Sequence, residues 1–162
     1  MTLEPPILTF PAHLQVPGAA SGTWETVAAV GDVPPGMMIR VTRGDLDVLV
    51  AHTTAGLVAA DDRCPHMSAP LSQGQLDGCV VDCPLHSGSF DLASGDALRF
   101  PTTGGLDADG GYHPPWQQPG SPARTEPTDA KASARAATRV RRIRYYPLRV
   151  RDCWIEIAFP RP

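Results

Sequence analysis

Two short segments of the chain each combine a cysteine with a histidine. The first reads CPH over residues 64–66 and the second reads CPLH over residues 83–86, and sixteen residues separate them. A cysteine thiolate and a neutral imidazole are both strong ligands for transition metals. Together the two segments supply enough donors for one complete metal centre. The predicted ligands are Cys64, His66, Cys83 and His86.

The mixed donor set narrows the kind of metal centre. In a histidine-ligated [2Fe–2S] centre, two cysteines hold one iron and two histidines hold the other. Two loops that each supply one cysteine and one histidine can bracket such a cluster. The main alternative is a structural zinc site, since Cys₂His₂ is an ordinary zinc set. Zinc fingers and ribbons usually pair Cys with Cys and His with His, so the order of ligands favours iron.

The elements that must position these ligands are short strands. The chain contains 18 Pro and 15 Gly in 162 residues, which favours turns and short strands over long helices. Apolar or alternating runs between turn residues indicate antiparallel strands, and both ligand segments directly follow such runs. The predicted strands are residues 24–30, 38–41, 47–52, 57–60, 78–82, 89–92 and 97–100, followed by a terminal hairpin over about 148–157 with its turn at 152–153.

Two parts of the chain depart from this pattern of short strands and turns. Residues 1–22 are rich in Pro and Gly and are expected to form an extended N-terminal arm. Residues 102–128 have neither strand nor helix periodicity and are predicted to form a long loop. The alanine-rich residues 129–138 that follow are predicted to form a short helix with Asp129 at its N-cap.

The ligand segments and their flanks resemble one family. The sequence GLVAADDRCPH leads into the first segment and SGSFDLASGDAL follows the second. These motifs resemble the Rieske proteins and, within that family, the small bacterial Rieske ferredoxins that serve aromatic-ring oxygenases. The similarity runs over about residues 24–100 and resumes near residues 146–150.

The resemblance implies a fold and a cofactor. The fold class would be all-β: an antiparallel β sandwich over residues 23–160, with a smaller cluster-binding subdomain over about residues 62–101 and an insertion over about 102–145. One [2Fe–2S] cluster per chain is expected. By the resemblance, Cys64 and Cys83 would ligate its buried iron, and His66 and His86 its exposed iron.

The residues near the ligands indicate a subtype. Rieske proteins of quinol-oxidising complexes carry an additional cysteine in each loop, and the two form a disulfide across the cluster. The corresponding residues are Ala69, or a near neighbour, and Leu85, so no such bridge is expected. Those proteins also place Ser and Tyr hydroxyls near the cluster sulfurs, where this chain has Gly88 and Phe90. Fewer hydrogen bonds to sulfur predict a reduction potential toward the low end of the Rieske range.

The expected function is therefore electron transfer and not catalysis. The resemblance implies a one-electron carrier that takes electrons from a reductase and passes them to a terminal non-haem iron oxygenase. The alternative is a permanently bound Rieske small subunit of a larger redox enzyme, such as a nitrite-reductase-like complex. The oxygenase itself is not favoured, because its mononuclear iron domain with a 2-His-1-carboxylate triad needs far more chain than residues 101–162.

The charge is unevenly distributed along the chain. Residues 1–100 hold four arginines and eleven acidic residues, which argues against a nucleic-acid partner. Residues 131–151 hold eight basic residues and no acid. This basic stretch is interpreted as a solvated face, or as a docking patch for an acidic partner. The N-terminus lacks a basic signal region and no run reaches about 18 apolar residues, so a cytoplasmic protein without a membrane partner is expected.

The remaining cysteines and histidines have no ligand spacing. Cys79 falls in the predicted 78–82 strand and is interpreted as a small buried apolar residue. Cys153 occupies a turn position at which the resembled ferredoxins usually have Gly. His13, His52 and His113 are assigned surface or packing roles.

Overall fold

Eleven short strands and three single-turn 3₁₀ helices make up the computed structural model, which describes residues 4–85, 87–99, 119–122 and 140–162. The strands are β1 (Thr23–Ala29), β2 (Met38–Arg43), β3 (Leu46–Thr53), β4 (Gly56–Asp61), β5 (Gln75–Asp77), β6 (Val80–Asp82), β7 (Ser89–Asp91), β8 (Ala97–Arg99), β9 (Tyr145–Tyr146), β10 (Leu148–Arg151) and β11 (Trp154–Phe159). The 3₁₀ turns are Ala12–Leu14, Val30–Asp32 and Leu71–Gln73. Within these residues, no helix is long and apolar enough to cross a membrane.

The strands form three antiparallel sheets. Their orders are β1-β11-β10, β2-β3-β4-β9 and β5-β6-β7-β8. The first sheet joins the first strand of the chain to the last, with Thr23 opposite Phe159. The all-β prediction is thereby confirmed, although this long-range pairing was not part of it.

Strands β3 and β4 lie in the middle of the molecule. Side chains alternate between the two faces of a strand, and here both faces are covered. Val48 and Val50 of β3 pack toward the sheet that contains β11, whereas Leu49 and Ala51 pack toward the β5–β8 sheet. This double burial explains why β3 and β4 are almost continuously apolar in sequence.

The N-terminal residues pack along the body. Leu8 and Leu14 are buried, and residues Ile7 and Gln15 form isolated parallel bridges with Leu57 and Tyr145. The close approach requires glycine at position 56, where φ is 126° and a Cβ would lie 2.3 Å from the Pro6 carbonyl oxygen. These contacts tie the first residues to the central sheet.

The strand predictions for β1–β4, β7, β8 and the terminal hairpin match the structure to within a few residues. The predicted 78–82 strand begins later, at Val80, because Gly78 and Cys79 form the two-residue turn between β5 and β6. Gly78 has a φ of 62°, which suits the first central position of a type II′ turn. The predicted 129–138 helix and most of the predicted 102–128 loop lie outside the described residues.

The terminal hairpin turn yields a stability prediction. Asp152 and Cys153 both have left-handed backbones, with φ of 49° and 66°, as a two-residue type I′ turn requires. A left-handed backbone costs a non-glycine residue about 1–2 kcal/mol. We therefore expect Cys153→Gly to raise the melting temperature by about 2–8 °C. Cys153→Ala is the control, and an equal rise in that variant would contradict the explanation.

Candidate metal centre

Two loops begin at neighbouring places on the central and the β5–β8 sheets. The first follows β4 and carries Cys64, and the second follows β6 and carries Cys83. In the first loop the Cys64 N–H donates to the Ala69 carbonyl at 2.7 Å, and in the second the Cys83 N–H donates to the Gly88 carbonyl at 2.8 Å. Each hydrogen bond closes the same five-residue interval, so the two loops share one backbone design.

A serine in a left-handed conformation repeats in both loops. Ser68 and Ser87 each lie four residues after the cysteine, with φ of 59° and 55°. This conformation is uncommon for a non-glycine residue and turns the chain back toward its start. The shared C-P-x-x-S pattern is visible in the sequence and is the signal that could have indicated, beyond the Cys-Pro pair, that the two loops are alike.

The two cysteine thiols lie next to each other inside the protein. Cys64 is 4% exposed and Cys83 is 3% exposed. A hydrogen bond with Cys83 and burial raise the pKa of the Cys64 thiol, while the backbone N–H groups of His66 and Met67 oppose this rise. All four cysteines are among the described residues, and none forms a disulfide. A metal that binds here must displace the thiol protons, which couples binding to proton release.

His66 follows Cys64 by two residues and lies at the protein surface. The residue is partly exposed, but its Nδ1 atom is buried. His86, the fourth predicted ligand, lies outside the described residues. The structure thus brings Cys64 and Cys83 together, places His66 on the same loop as Cys64, and does not address His86.

This donor set fits a [2Fe–2S] cluster. Two adjacent thiols can supply both protein ligands of one iron, and an imidazole can serve the other. Among the described residues, no three His, Cys, Asp or Glu side chains are grouped closely enough to hold one metal ion. A binuclear centre does not need such a group, because each iron takes only two protein ligands.

Gly88, Phe90 and Leu85, from which a low-potential centre without a disulfide was predicted, lie close to Cys83 in the sequence. Phe90 is fully buried and Gly88 is buried, so neither position offers a side-chain hydroxyl. Leu85 is 56% exposed and Met67, on the other loop, is 61% exposed. Two large apolar side chains therefore face solvent beside the predicted ligands.

Three of the other cysteines and histidines make contacts within the chain. Cys79 is half-buried, and its Sγ lies 3.6 Å from the Thr54 hydroxyl. His52 places Nδ1 2.8 Å from the Val33 carbonyl oxygen, and His13 places Nε2 3.2 Å from the Arg142 guanidinium. His113 lies outside the described residues.

The basic stretch is only partly described, because Lys131, Arg135 and Arg139 lie outside the described residues. Arg142 pairs with Asp96 at 2.6 Å, and Arg149 pairs with Glu156 and lies 4.1 Å from the Trp24 ring centre. The Arg141 backbone N–H donates to the Pro65 carbonyl at 3.4 Å, beside the first ligand loop. At least two of the eight basic residues are thus held by contacts within the chain.

Comparison with known proteins assigns the family. The family model described as "Rieske [2Fe-2S] domain" matches residues 23–108, more than half of the chain. The chain therefore belongs to the Rieske [2Fe–2S] family and carries one [2Fe–2S] cluster.

Several relatives within this family are ferredoxins. The chain is 35% identical over 80 residues to the ferredoxin component of the naphthalene 1,2-dioxygenase system of Pseudomonas putida, covering 49% of this chain and 77% of the relative. It is 38% identical over 81 residues to ferredoxin CarAc of Metapseudomonas resinovorans, covering 49% of this chain and 76% of the relative.

Solved structures share the fold. The Sphingomonas yanoikuyae B1 ferredoxin aligns with a TM-score of 0.55 and 22% identity, over 85% of this chain and all of that protein. Dicamba monooxygenase with non-haem iron aligns with a TM-score of 0.55 and 22% identity, over 85% of this chain but only 32% of that protein. At these identities the likeness concerns the fold alone.

The predicted cysteine ligands can be tested against the other two cysteines. We expect Cys64→Ser and Cys83→Ser to abolish cluster assembly, because each removes one of two adjacent buried thiols. Cys79→Ser and Cys153→Ser are the matched controls and should retain two irons per chain. Iron and sulfide analysis with EPR of the dithionite-reduced protein measures the result. One zinc and no iron in the unsubstituted protein would contradict the assignment.

Proposed function

We propose that this protein is a one-electron carrier between a reductase and a terminal non-haem iron oxygenase. The observation that carries the proposal is the pair of matching loops, which bury two thiols and expose apolar side chains beside the predicted histidine ligands. The relatives named as ferredoxin components of dioxygenase systems support a carrier over a permanently bound subunit. The proposed location is the cytoplasm.

The proposed ligands are those of the sequence analysis. Cys64 and Cys83 would hold the buried iron, and His66 and His86 the outer iron. The buried Nδ1 of His66 is the atom suited to metal, since it lies on the protein side of a partly exposed ring. The proposed domain limits are also kept: an arm at 1–22, a Rieske domain at 23–160, a cluster-binding subdomain at about 62–101 and an insertion at about 102–145.

The residues of the site have separable tasks. When bound, the cluster accepts and releases one electron. Cys64 and Cys83 are screened from water by the surrounding apolar side chains, among them Leu71, Val81 and Phe90. The backbone N–H groups of His66 and Met67 favour the negatively charged form of the Cys64 sulfur. The chain thus provides an interior without water for the thiolates and a solvent-facing edge for electron exchange with a partner.

Reconstitution tests the proposed function. A ring-hydroxylating dioxygenase system is assembled from purified reductase and oxygenase with its own ferredoxin omitted. We expect the loaded chain to restore turnover and to elute separately from both components in gel filtration. Loaded protein that cycles with dithionite but restores no turnover in any such system, or that co-elutes permanently with a larger enzyme, would contradict the carrier assignment.

The exposed apolar side chains predict where the partner docks. Met67→Glu should lower the rate of electron transfer to the oxygenase roughly tenfold, because a charge would have to be desolvated in the contact. The matched control is Met37→Glu, since Met37 is 55% exposed and precedes β2 at the end of the central sheet opposite the ligand loops. Equal slowing in both variants, or none in Met67→Glu, would contradict docking at this edge.

The lack of a hydroxyl at positions 88 and 90 predicts a low reduction potential. With Gly88 and Phe90 at the positions that carry hydroxyls in quinol-oxidising Rieske proteins, we expect a midpoint near the lower end of the Rieske range, roughly −150 mV. EPR-monitored redox titration measures it. Introducing a hydroxyl by Phe90→Tyr should raise the potential, and a wild-type value near the upper end of the range would refute the prediction.

A further inference from the structure

Both ligand loops are closed at their base by a carboxylate and a serine. In the first loop, Asp62 precedes Cys64 and Ser72 follows the loop. The Ser72 N–H and hydroxyl donate to the two carboxylate oxygens of Asp62 at 2.6 and 2.7 Å. The backbone adds a second link, from the Leu71 N–H to the Asp62 carbonyl at 2.8 Å. Asp62 is 1% exposed, so this contact is shielded from water.

The second loop has the same arrangement with other residues. Asp82 directly precedes Cys83, and Ser89 follows the loop and lies opposite Asp82 in the β6–β7 pairing. The Ser89 hydroxyl donates to the Asp82 carboxylate. Neither serine is a ligand candidate, yet each joins the strand that enters its loop to the residues that leave it.

Each carboxylate also lies near an arginine. Arg40 Nε is 3.5 Å from Asp62, and the Arg99 guanidinium is 3.7 Å from Asp82. Arg99 has a second contact, because its Nε donates at 2.9 Å to the carbonyl of Ser87, a residue inside the second loop. Arg99 therefore links the carboxylate at the base of this loop to its far side.

We propose that Asp62 with Ser72, and Asp82 with Ser89 and Arg99, are positioning residues that hold the two ligand loops in the shape that the [2Fe–2S] cluster requires. This inference rests on the ligand loops of the proposed function but not on the identity of any electron partner. Rigid loops keep the ligands in place in both redox states, and supporting hydrogen bonds of this kind tune how firmly ligands hold a metal.

The two groups of positioning residues differ in their exposure to solvent. The Asp62 side chain is 1% exposed, whereas those of Asp82 and Arg99 are 46% and 52% exposed. Hydrogen bonds to a buried charge resist competition from water, while exposed ones compete with it. The second loop is therefore held more weakly than the first, and its two proposed ligands should detach from the cluster first.

The test measures iron release from the loaded protein to a ferrous chelator, together with the EPR line shape and the melting temperature. Ser72→Ala and Ser89→Ala should each speed release about tenfold or more and broaden the EPR signal. Ser72→Thr keeps the hydroxyl and should restore the wild-type rate. Asp82→Asn removes the charge of the carboxylate in the second loop. Its control is Asp77→Asn, because Asp77 is exposed and lies at the turn end of the β5–β6 hairpin.

Three outcomes separate the possible roles. Faster release in the neutral serine variants supports positioning, because no charge has changed. Faster release in Asp82→Asn alone, with a shifted potential, would overturn positioning in favour of a charge effect. Wild-type release and line shape in all variants, or a lowered melting temperature with an unchanged line shape, would leave only a structural role. Failure of the loaded wild-type chain to restore dioxygenase turnover would bear on the proposed function instead.

Discussion

Cys64 and Cys83 lie on two different loops, yet their thiols must lie side by side in the protein interior. The hydrogen bond with Cys83 raises the pKa of the Cys64 thiol, and burial raises it further because it disfavours the thiolate. Much of the architecture can be understood as the means of bringing two backbone loops together at this point.

The central sheet provides the support. Because β3 and β4 are covered on both faces, one face of β3 contributes to the core around the thiols and the other to the core beneath the terminal hairpin. Tyr145 connects the same layers: its ring stacks on Phe10 at 4.6 Å, and its hydroxyl donates to the Leu92 carbonyl at 2.7 Å. Burial raises the pKa of this phenol, which keeps it a hydrogen-bond donor. The N-terminal residues, the central sheet and the β5–β8 sheet thereby share one core.

The strands that could be predicted from the sequence are those whose pattern lies in adjacent residues. Strands β1 to β4 follow from alternation and from turns such as Arg43-Gly44-Asp45, both of which are properties of adjacent residues. Strand β5 was not predicted, because its three residues are mostly polar and become a strand only by pairing with β6. Cys79 was predicted to lie in a strand because it is an apolar residue next to Val80. The structure instead places it in the turn between β5 and β6, which local sequence does not reveal.

The hydrogen bonds between aspartate and serine beside the ligand loops could not be predicted from the sequence either. Asp62 and Ser72 are ten residues apart, and an acidic residue next to a serine-containing loop is too common to predict a buried hydrogen bond. The repeated left-handed serines are encoded locally, but their role is apparent only once both loops are seen to close over the same five-residue interval.

The sequence by itself predicted the chemistry: four proposed ligands of two types, in an order and with flanks that indicate a Rieske centre and not zinc. It could do so because the identity and spacing of donor groups are local and covalent. The tertiary structure decided that Cys64 and Cys83 meet in a buried site, and that Asp62 and Asp82 accept hydrogen bonds from Ser72 and Ser89 beside the ligand loops. It also decided that the first and last strands pair, with Thr23 opposite Phe159. These features depend on contacts between residues that are not adjacent in the sequence, and such contacts form only when the chain folds into its tertiary structure.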